Sequence, residues 1–292
     1  MVNRGTGRRV IVTRPATDAD VWVANLKQSG FAAQALPLIE IAAVSNPTDV
    51  RALQLACDRL SNYTACMFVS GNAAENFFSA FKGLKTAVAQ ENRALTAPDT
   101  IAIALPKALR LLAPGPGTAA ALMAAGVPAS QIDAPPADAV QFDSEALWQV
   151  IGSHDWVGAT VLIVRGKGDA ADASAGTGRD WLAQQWQGAG STVDVVSSYE
   201  RRAPQLTAAQ LEVAKAASQD GSVWLFSSSE ALANLTRQAG LKDVSWHKAR
   251  AVATHPRIEA ALQTAGWGVV QPSRPALPDI RQALASIESK SP

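Results

Sequence analysis

The sequence predicts an α/β protein in two similar halves, each a parallel sheet with helices on both faces. Three observations lead there. Short apolar runs alternate with helical patterns along the whole chain, as parallel sheets with helical crossovers require. A length of 292 residues suffices for two separate cores. The third is an internal repeat: the strand-turn-helix unit Cys66–Phe78 (CMFVSGNAAENFF) is answered by Val223–Leu235 (VWLFSSSEALANL).

The echo extends along the chain. Val10–Arg14 matches Val161–Arg165, an apolar strand ending in arginine. Asp20–Gly30 matches Asp180–Gly190, a helix stopped by a glycine at its C′ position. Ala32–Glu40 aligns with Thr192–Glu200. Ala113–Gly126 aligns with Ala253–Gly266, where seven of fourteen positions are identical.

Taken in order, Arg8–Thr13 is the first strand, ended by Arg14-Pro15 because proline cannot continue a central ladder. Thr17 or Asp18 is expected to cap the helix that follows, with Val21, Leu26 and one of the neighbouring tryptophan or alanine positions facing inward and Gly30 stopping it. Ala32–Val44 is a long extended run interrupted by Pro37, which suggests a chain leaving one sheet for another. Asn46-Pro47 opens a helix over about 50–60. Beyond the Ser70 unit, 83–107 reads as a helical insertion with a strand at Thr100–Ala104. Ala113–Gly126 is a strand end, a Pro-Gly-Pro-Gly-Thr turn and a helix, followed by a Pro- and Ala-rich loop at 133–143 and a helix at 144–151. The strand Val161–Arg165 leads into Gly166–Gly178, small and polar and expected to be disordered without ligand, then a helix from Arg179 to Gln187. Val193–Arg202 is extended, Gln205–Ser218 helical, and the Ser227 unit follows. A last strand at Val269-Val270 and a terminal helix at 277–289 complete the pattern.

Composition excludes several function classes. A formal net charge of +1, with dispersed arginines and no basic stripe, provides no field for a nucleic acid or other polyanion. Cys57 and Cys66 read as small buried packing residues, and the three histidines lack metal-binding spacing. The apolar run near the start, Val10 to Val12, is too short for a signal peptide, and no segment approaches a membrane span. The expected compartment is the cytosol.

The turns carry the chemistry. In both copies of the strand-turn-helix unit a hydroxyl, Ser70 or Ser227, is expected to cap a helix, and both helices are expected to face one cleft. The remaining backbone N–H groups and the helix dipole favour an anion. Gly115-Pro-Gly117-Thr118 opens a helix and serves equally as a tight turn or an anion cradle. Gly166-Lys167-Gly168 lacks the third glycine of a dinucleotide fingerprint. Arg179, at a helix start where a cation is unfavourable to the dipole, reads as a carboxylate clamp. Tyr199 stands among short polar residues on a strand; as a lone tyrosine it reads first as packing, and otherwise as a hydroxyl near a crossing between domains.

These residues resemble the uroporphyrinogen-III synthase family. The match is carried by Thr13-Arg14-Pro15, Pro37–Ile41 (PLIEI), Phe68–Ala74 (FVSGNAA), Pro114–Leu122 with its PGPGT turn, and Arg165-Gly166. It continues through Gly178–Leu182 (GRDWL), the Tyr199 segment and Phe226–Leu232 (FSSSEAL). The resemblance implies two Rossmann-like parallel-sheet domains joined by a two-stranded connection, the second inserted into the first: 1–37 with 203–292, and 38–202. It implies that hydroxymethylbilane, an octacarboxylate, is cyclised with inversion of ring D to uroporphyrinogen III and water. It implies no metal or organic cofactor, no nucleic acid or membrane partner, and a monomer.

Tyr199 matches the family tyrosine proposed to assist departure of the hydroxyl; a phenol is protonated at neutral pH and can donate. The substrate-binding candidates are Arg14, Ser70, Gly117, Thr118, Arg165, Arg179, Ser227, Ser228, His255 and Arg257. One departure stands out. His255-Pro256-Arg257-Ile258 replaces the family's Gly-x-x-Thr turn in the second half, so His255, Arg257 or Thr254 takes the place of a threonine donor. Two other readings remain open at this level: a two-domain binding protein closing on a small anion, and a sugar- or nucleotide-phosphate transferase using Arg165–Gly168.

Overall fold

The computed structural model describes residues 8–91, 105–136, 138–139, 141–168 and 177–287. The chain begins with β1 (Arg9–Val12), α1 (Ala16–Gln28) and β2 (Ala32–Ala35). Then come β3 (Glu40–Ala43), α2 (Pro47–Asp58), β4 (Ala65–Phe68), α3 (Gly71–Glu91), β5 (Arg110–Leu112), α4 (Pro116–Ala124), β6 (Ile132–Asp133) and α5 (Ser144–Ile151). β7 (Thr160–Lys167), α6 (Thr177–Gly188) and β8 (Thr192–Arg202) follow. The last part holds α7 (Ala208–Ala217), β9 (Val223–Phe226), α8 (Ser229–Arg237), β10 (Arg250–Ala253), α9 (Pro256–Thr264), β11 (Val269–Pro272) and α10 (Leu277–Ile287). Two compact units result: Met1–Glu40 with Arg202–Pro292, and Ile41–Arg201.

In the first unit the sheet runs β11-β10-β9-β1-β2, with parallel neighbours throughout. In the second the order is β3-β8-β7-β4-β5-β6, parallel from β8 to β6. Setting β3 aside, the two orders correspond strand for strand under the sequence repeat: β1 to β7, β2 to β8, β9 to β4, β10 to β5 and β11 to β6. The register agrees as well. Val10 lies opposite Ala33 and Val12 opposite Ala35, just as Val161 lies opposite Val193 and Ile163 opposite Val195. The long run around Pro37 divides as its proline suggests, β2 joining one sheet and β3 the other.

Alternation sorts the cores. In the second unit Cys66, Phe68, Leu162 and Val164 point to one face, where Phe77, Phe78 and Phe81 of α3 cover them. Ala65, Met67, Val161 and Ile163 point to the other, against Leu182 and Trp186 of α6. In the first unit Val10, Val12, Val223 and Leu225 meet Leu26 of α1 and Ile280 of α10. Trp224 and Phe226 face the opposite way into a tight aromatic group with Trp246 and Trp267. Phe77 is fully buried with its ring 5.5 Å from that of Phe68. Truncating it to alanine would cost about 3–5 kcal/mol and loosen the helix whose N-terminus Ser70 caps. Helix ends are fixed by Gly30 and Gly190, and by Gly126 and Gly266, all at positive φ where a side chain would be strained. Among the described residues no helix is long and apolar enough to cross a membrane.

Several local expectations are corrected. α1 starts at Ala16 behind Pro15 with no side-chain cap, because the proline already holds the extended entry angle; Thr17 and Asp18 fall inside the first turn. Its buried stripe is Ala19, Trp22, Val23 and Leu26, so Val21 lies off the stripe and is 57 % exposed. α3 runs through the lone Gly83 to Glu91, while the Thr100–Ala104 strand lies outside the described residues. β7 continues through Gly166 to Lys167, and α6 begins at Thr177, two residues before Arg179; most of the intervening segment, 169–176, lies outside the described residues.

Candidate active site

In open parallel sheets, ligands bind beyond the C-terminal strand ends, where the strand order reverses direction. In the second unit the chain builds β4, β5 and β6 outward, then returns to lay β7 on the other side of β4. The reversal therefore lies between the ends of β4 and β7, and Ser70 and Gly166 flank it.

Tyr199 reaches this point from β8. Its side chain is only 5 % exposed. The β7–β8 register slips between Arg165 and Gly166, so that Gly166 rather than Lys167 lies opposite Tyr199. A Cβ on Gly166 would sit 2.3 Å from Tyr199 Cζ and 2.7 Å from its hydroxyl oxygen. Only glycine admits the ring here. The phenol lies across β7, and its oxygen is 3.4 Å from Ser70 Oγ. Ser70 Oγ also accepts the N–H of Ala73 at 3.2 Å, which caps α3. Next to Tyr199, the buried Ser198 hydroxyl donates to the Ala73 carbonyl at 3.0 Å. β8 and the first turn of α3 are thus latched together.

α4 starts beside α3: a Cβ on Gly71 would lie 3.6 Å from the Gly117 carbonyl and 3.5 Å from Ala121 Cβ. By helix geometry the first N–H groups of both helices lack intrahelical acceptors, and their dipoles add at one spot. Gly117 is exposed there, whereas Thr118 is buried, facing inward. Arg165 is exposed at the strand end. Arg179 occupies the first turn of α6.

The first unit has the equivalent reversal between β1 and β9. Thr13 Oγ1 donates to the Leu225 carbonyl at 2.8 Å and ties the two strand ends. Arg14 follows, its guanidinium 4.6 Å from the Trp22 ring centre. Burial lowers the Arg14 pKa below the usual guanidinium value, offset in part by Asp18. Its Nε is buried without a hydrogen-bond partner among the described residues. After β9 the cap is Ser228, whose Oγ accepts from Glu230 N–H; the expected Ser227 cap is corrected by one residue. The alignment of the helix starts is the reason, since Ser228 immediately precedes α8 as Ser70 precedes α3. At α9 the exposed His255 caps with Nδ1, accepting from Arg257 N–H at 3.1 Å. That leaves Nε2 to carry the neutral ring's proton outward, as a donor. Arg257 is exposed beside it, while Thr254 is buried.

The second unit therefore brings together Ser70, Gly117 and Tyr199, and the first unit's strand ends carry Arg14, Ser227, Ser228, His255 and Arg257. Gly166 and Ser198 are additions that the sequence reading did not assign to the site. The unusual run Arg165-Gly166-Lys167-Gly168 was the available signal for Gly166.

Such a molecule is a doubly wound α/β protein, duplicated, with helix N-termini and donor side chains assembled at its strand ends and one tyrosine buried at one of them. The description "Uroporphyrinogen-III synthase HemD" matches residues 20–282, and the chain belongs to the uroporphyrinogen-III synthase family. Solved structures similar to it include a mutant uroporphyrinogen III synthase from the extremely thermophilic bacterium Thermus thermophilus, 16 % identical, covering 96 % of this chain and 100 % of that one with a TM-score of 0.47. Another is the uroporphyrinogen-III synthetase of Helicobacter pylori, 15 % identical, with coverages of 96 % and 99 % and a TM-score of 0.46. The family consists of cyclising lyases of tetrapyrrole biosynthesis, and the substrate it implies is hydroxymethylbilane. The phosphate-transferase reading is not favoured: Lys167 is paired with Asp49 at 2.5 Å, and Gly166 makes room for a ring.

Proposed function

We propose that Tyr199 is the proton donor to the departing hydroxyl and that the helix N-termini hold the substrate's carboxylates. The observation that supports it is the placement of one buried phenol at a strand-order reversal, against the N-terminus of α3. The carbon–oxygen bond of the hydroxymethyl group breaks, its electron pair leaves with oxygen, and Tyr199 supplies the proton that completes water. The cation left behind is delocalised into the pyrrole nitrogen. The proton lost when the closed macrocycle regains its aromatic pyrrole balances the one given up, and the phenol is restored. The conversion is a loss of water with no net oxidation, so it calls for no redox partner.

Carboxylates are matched to the first turns of α3 and α4 and to Arg165 and Arg179. In the first unit Arg14, Ser227, Ser228, His255 and Arg257 have the same assignment. The stacked Arg14, with a buried unpartnered donor, is suited to this task. The enzyme acts in this account as a cytoplasmic monomer without nucleic-acid partners, in line with its near-zero net charge. The test is turnover of freshly prepared hydroxymethylbilane by the full chain and by Tyr199→Phe, with isomers I and III of the product separated. A slower appearance of isomer III in the variant at an unchanged Michaelis constant is expected. An unaltered rate would remove Tyr199 from the chemistry.

A further inference from the structure

The Tyr199 hydroxyl has a neighbour that does more than cap a helix. We infer that Ser70 is a positioning residue that donates its hydroxyl proton to the Tyr199 oxygen, aiming the phenol's own proton outward at the substrate. The inference rests on the proposed role of Tyr199 and adds what makes that phenol an effective donor.

Ser70 Oγ has one proton and two lone pairs. One lone pair takes the Ala73 N–H at 3.2 Å. The other neighbour is Tyr199 Oη at 3.4 Å, and either oxygen can supply the proton between them. The electrostatics choose. Both oxygens lie at the positive end of α3, which favours negative charge on the phenol oxygen, and a Ser70 proton pointing toward Tyr199 serves that charge. In the reverse arrangement the phenol would spend its proton on Ser70 and have none for the substrate. As Tyr199 gives up its proton, charge develops on its oxygen, and the Ser70 hydroxyl and the first turn of α3 are already turned toward it. That is preorganised stabilisation of the transition state, with no group having to reorient. The Ser198 latch keeps α3 and β8 from sliding apart, and the missing Cβ of Gly166 lets the ring lie over β7 at this distance.

The experiment must separate donor from cap. Ser70→Gly suits this, because glycine is nearly as good as serine at an N-cap yet has no hydroxyl. With hydroxymethylbilane and the full-length protein, Ser70→Gly and Ser70→Ala should each lower kcat for isomer III by about tenfold. The Michaelis constant should stay within about twofold, and Ser70→Thr should recover most of the rate. The double variant Ser70→Gly with Tyr199→Phe should be no slower than Tyr199→Phe alone, because removing the phenol removes what Ser70 acts on. Wild-type kcat in Ser70→Gly, with Tyr199→Phe still slow, would overturn the positioning role and leave the Tyr199 reading standing. Losses that multiply in the double variant would do the same. Wild-type kcat in Tyr199→Phe would overturn both.

Discussion

The two sheet edges share a frame and differ in their furnishing. Strand order and register agree, yet at the position of Tyr199 the first unit has Ile39, and at the position of Gly166 it has Pro15. Ile39 is buried at 6 %, as is Tyr199 at 5 %. One edge thus keeps a hydroxyl in the same kind of place where the other keeps a hydrocarbon. Conversely, the arginine that ends the strand is stacked on Trp22 in the first unit, whereas its counterpart Arg165 is exposed. Duplication supplies paired strand ends that each lead into helix N-termini; divergence at a few positions gives one of them a buried phenol and the other an arginine stacked on a tryptophan.

Exchanging chemistry for hydrocarbon should affect the second unit alone. Tyr199→Phe is expected to lower kcat by between about tenfold and a hundredfold, below a full general-acid effect because the hydroxyl departs readily from an electron-rich pyrrole. Its counterpart Ile39→Val should leave kcat unchanged and cost about 0.5–1.5 kcal/mol in denaturant unfolding. A rate loss in Ile39→Val comparable to that in Tyr199→Phe would break the comparison.

Gly166→Ala forces a methyl against the Tyr199 ring. We expect kcat to fall by about tenfold and stability by about 1–3 kcal/mol, as for overpacking elsewhere. In Tyr199→Ala, where the ring is gone, the added methyl should no longer cost stability; thermal unfolding of the four combinations checks this.

Arg14→Ala should act on binding, raising the Michaelis constant by about tenfold with kcat nearly unchanged, since a charge-assisted hydrogen bond is lost. Arg14→Lys should recover little of it, because an ammonium lacks the planar stack on Trp22. Steady-state kinetics on isomer III distinguish this from a lowered kcat.

The smallest effect concerns the caps. Ser228→Ala should cost about 1 kcal/mol in urea unfolding, whereas Ser227→Ala, which removes no cap, should stay within about 0.5 kcal/mol. The reverse ranking would contradict the observed cap at Ser228.

Much of the frame is legible in local pattern. The apolar runs at Val10, Cys66, Val161 and Val223 are buried strands. Gly30 and Gly190 end helices, and Pro37 marks the passage between sheets. These signals act within a few residues of themselves, through φ preference, missing N–H groups and burial on one face, so the sequence by itself determined them. The cap at Ser228 rather than Ser227 turned on a single residue of helix phase, which a run of three serines does not resolve. The site's geometry belongs to the tertiary structure. Ser70 and Tyr199 are 129 positions apart, and Gly166 lies on a third segment. They meet because β7 returns beside β4 and because one slip in register turns Gly166 to the phenol. Sheet order and register come from the packing of the whole unit, and no local periodicity records them.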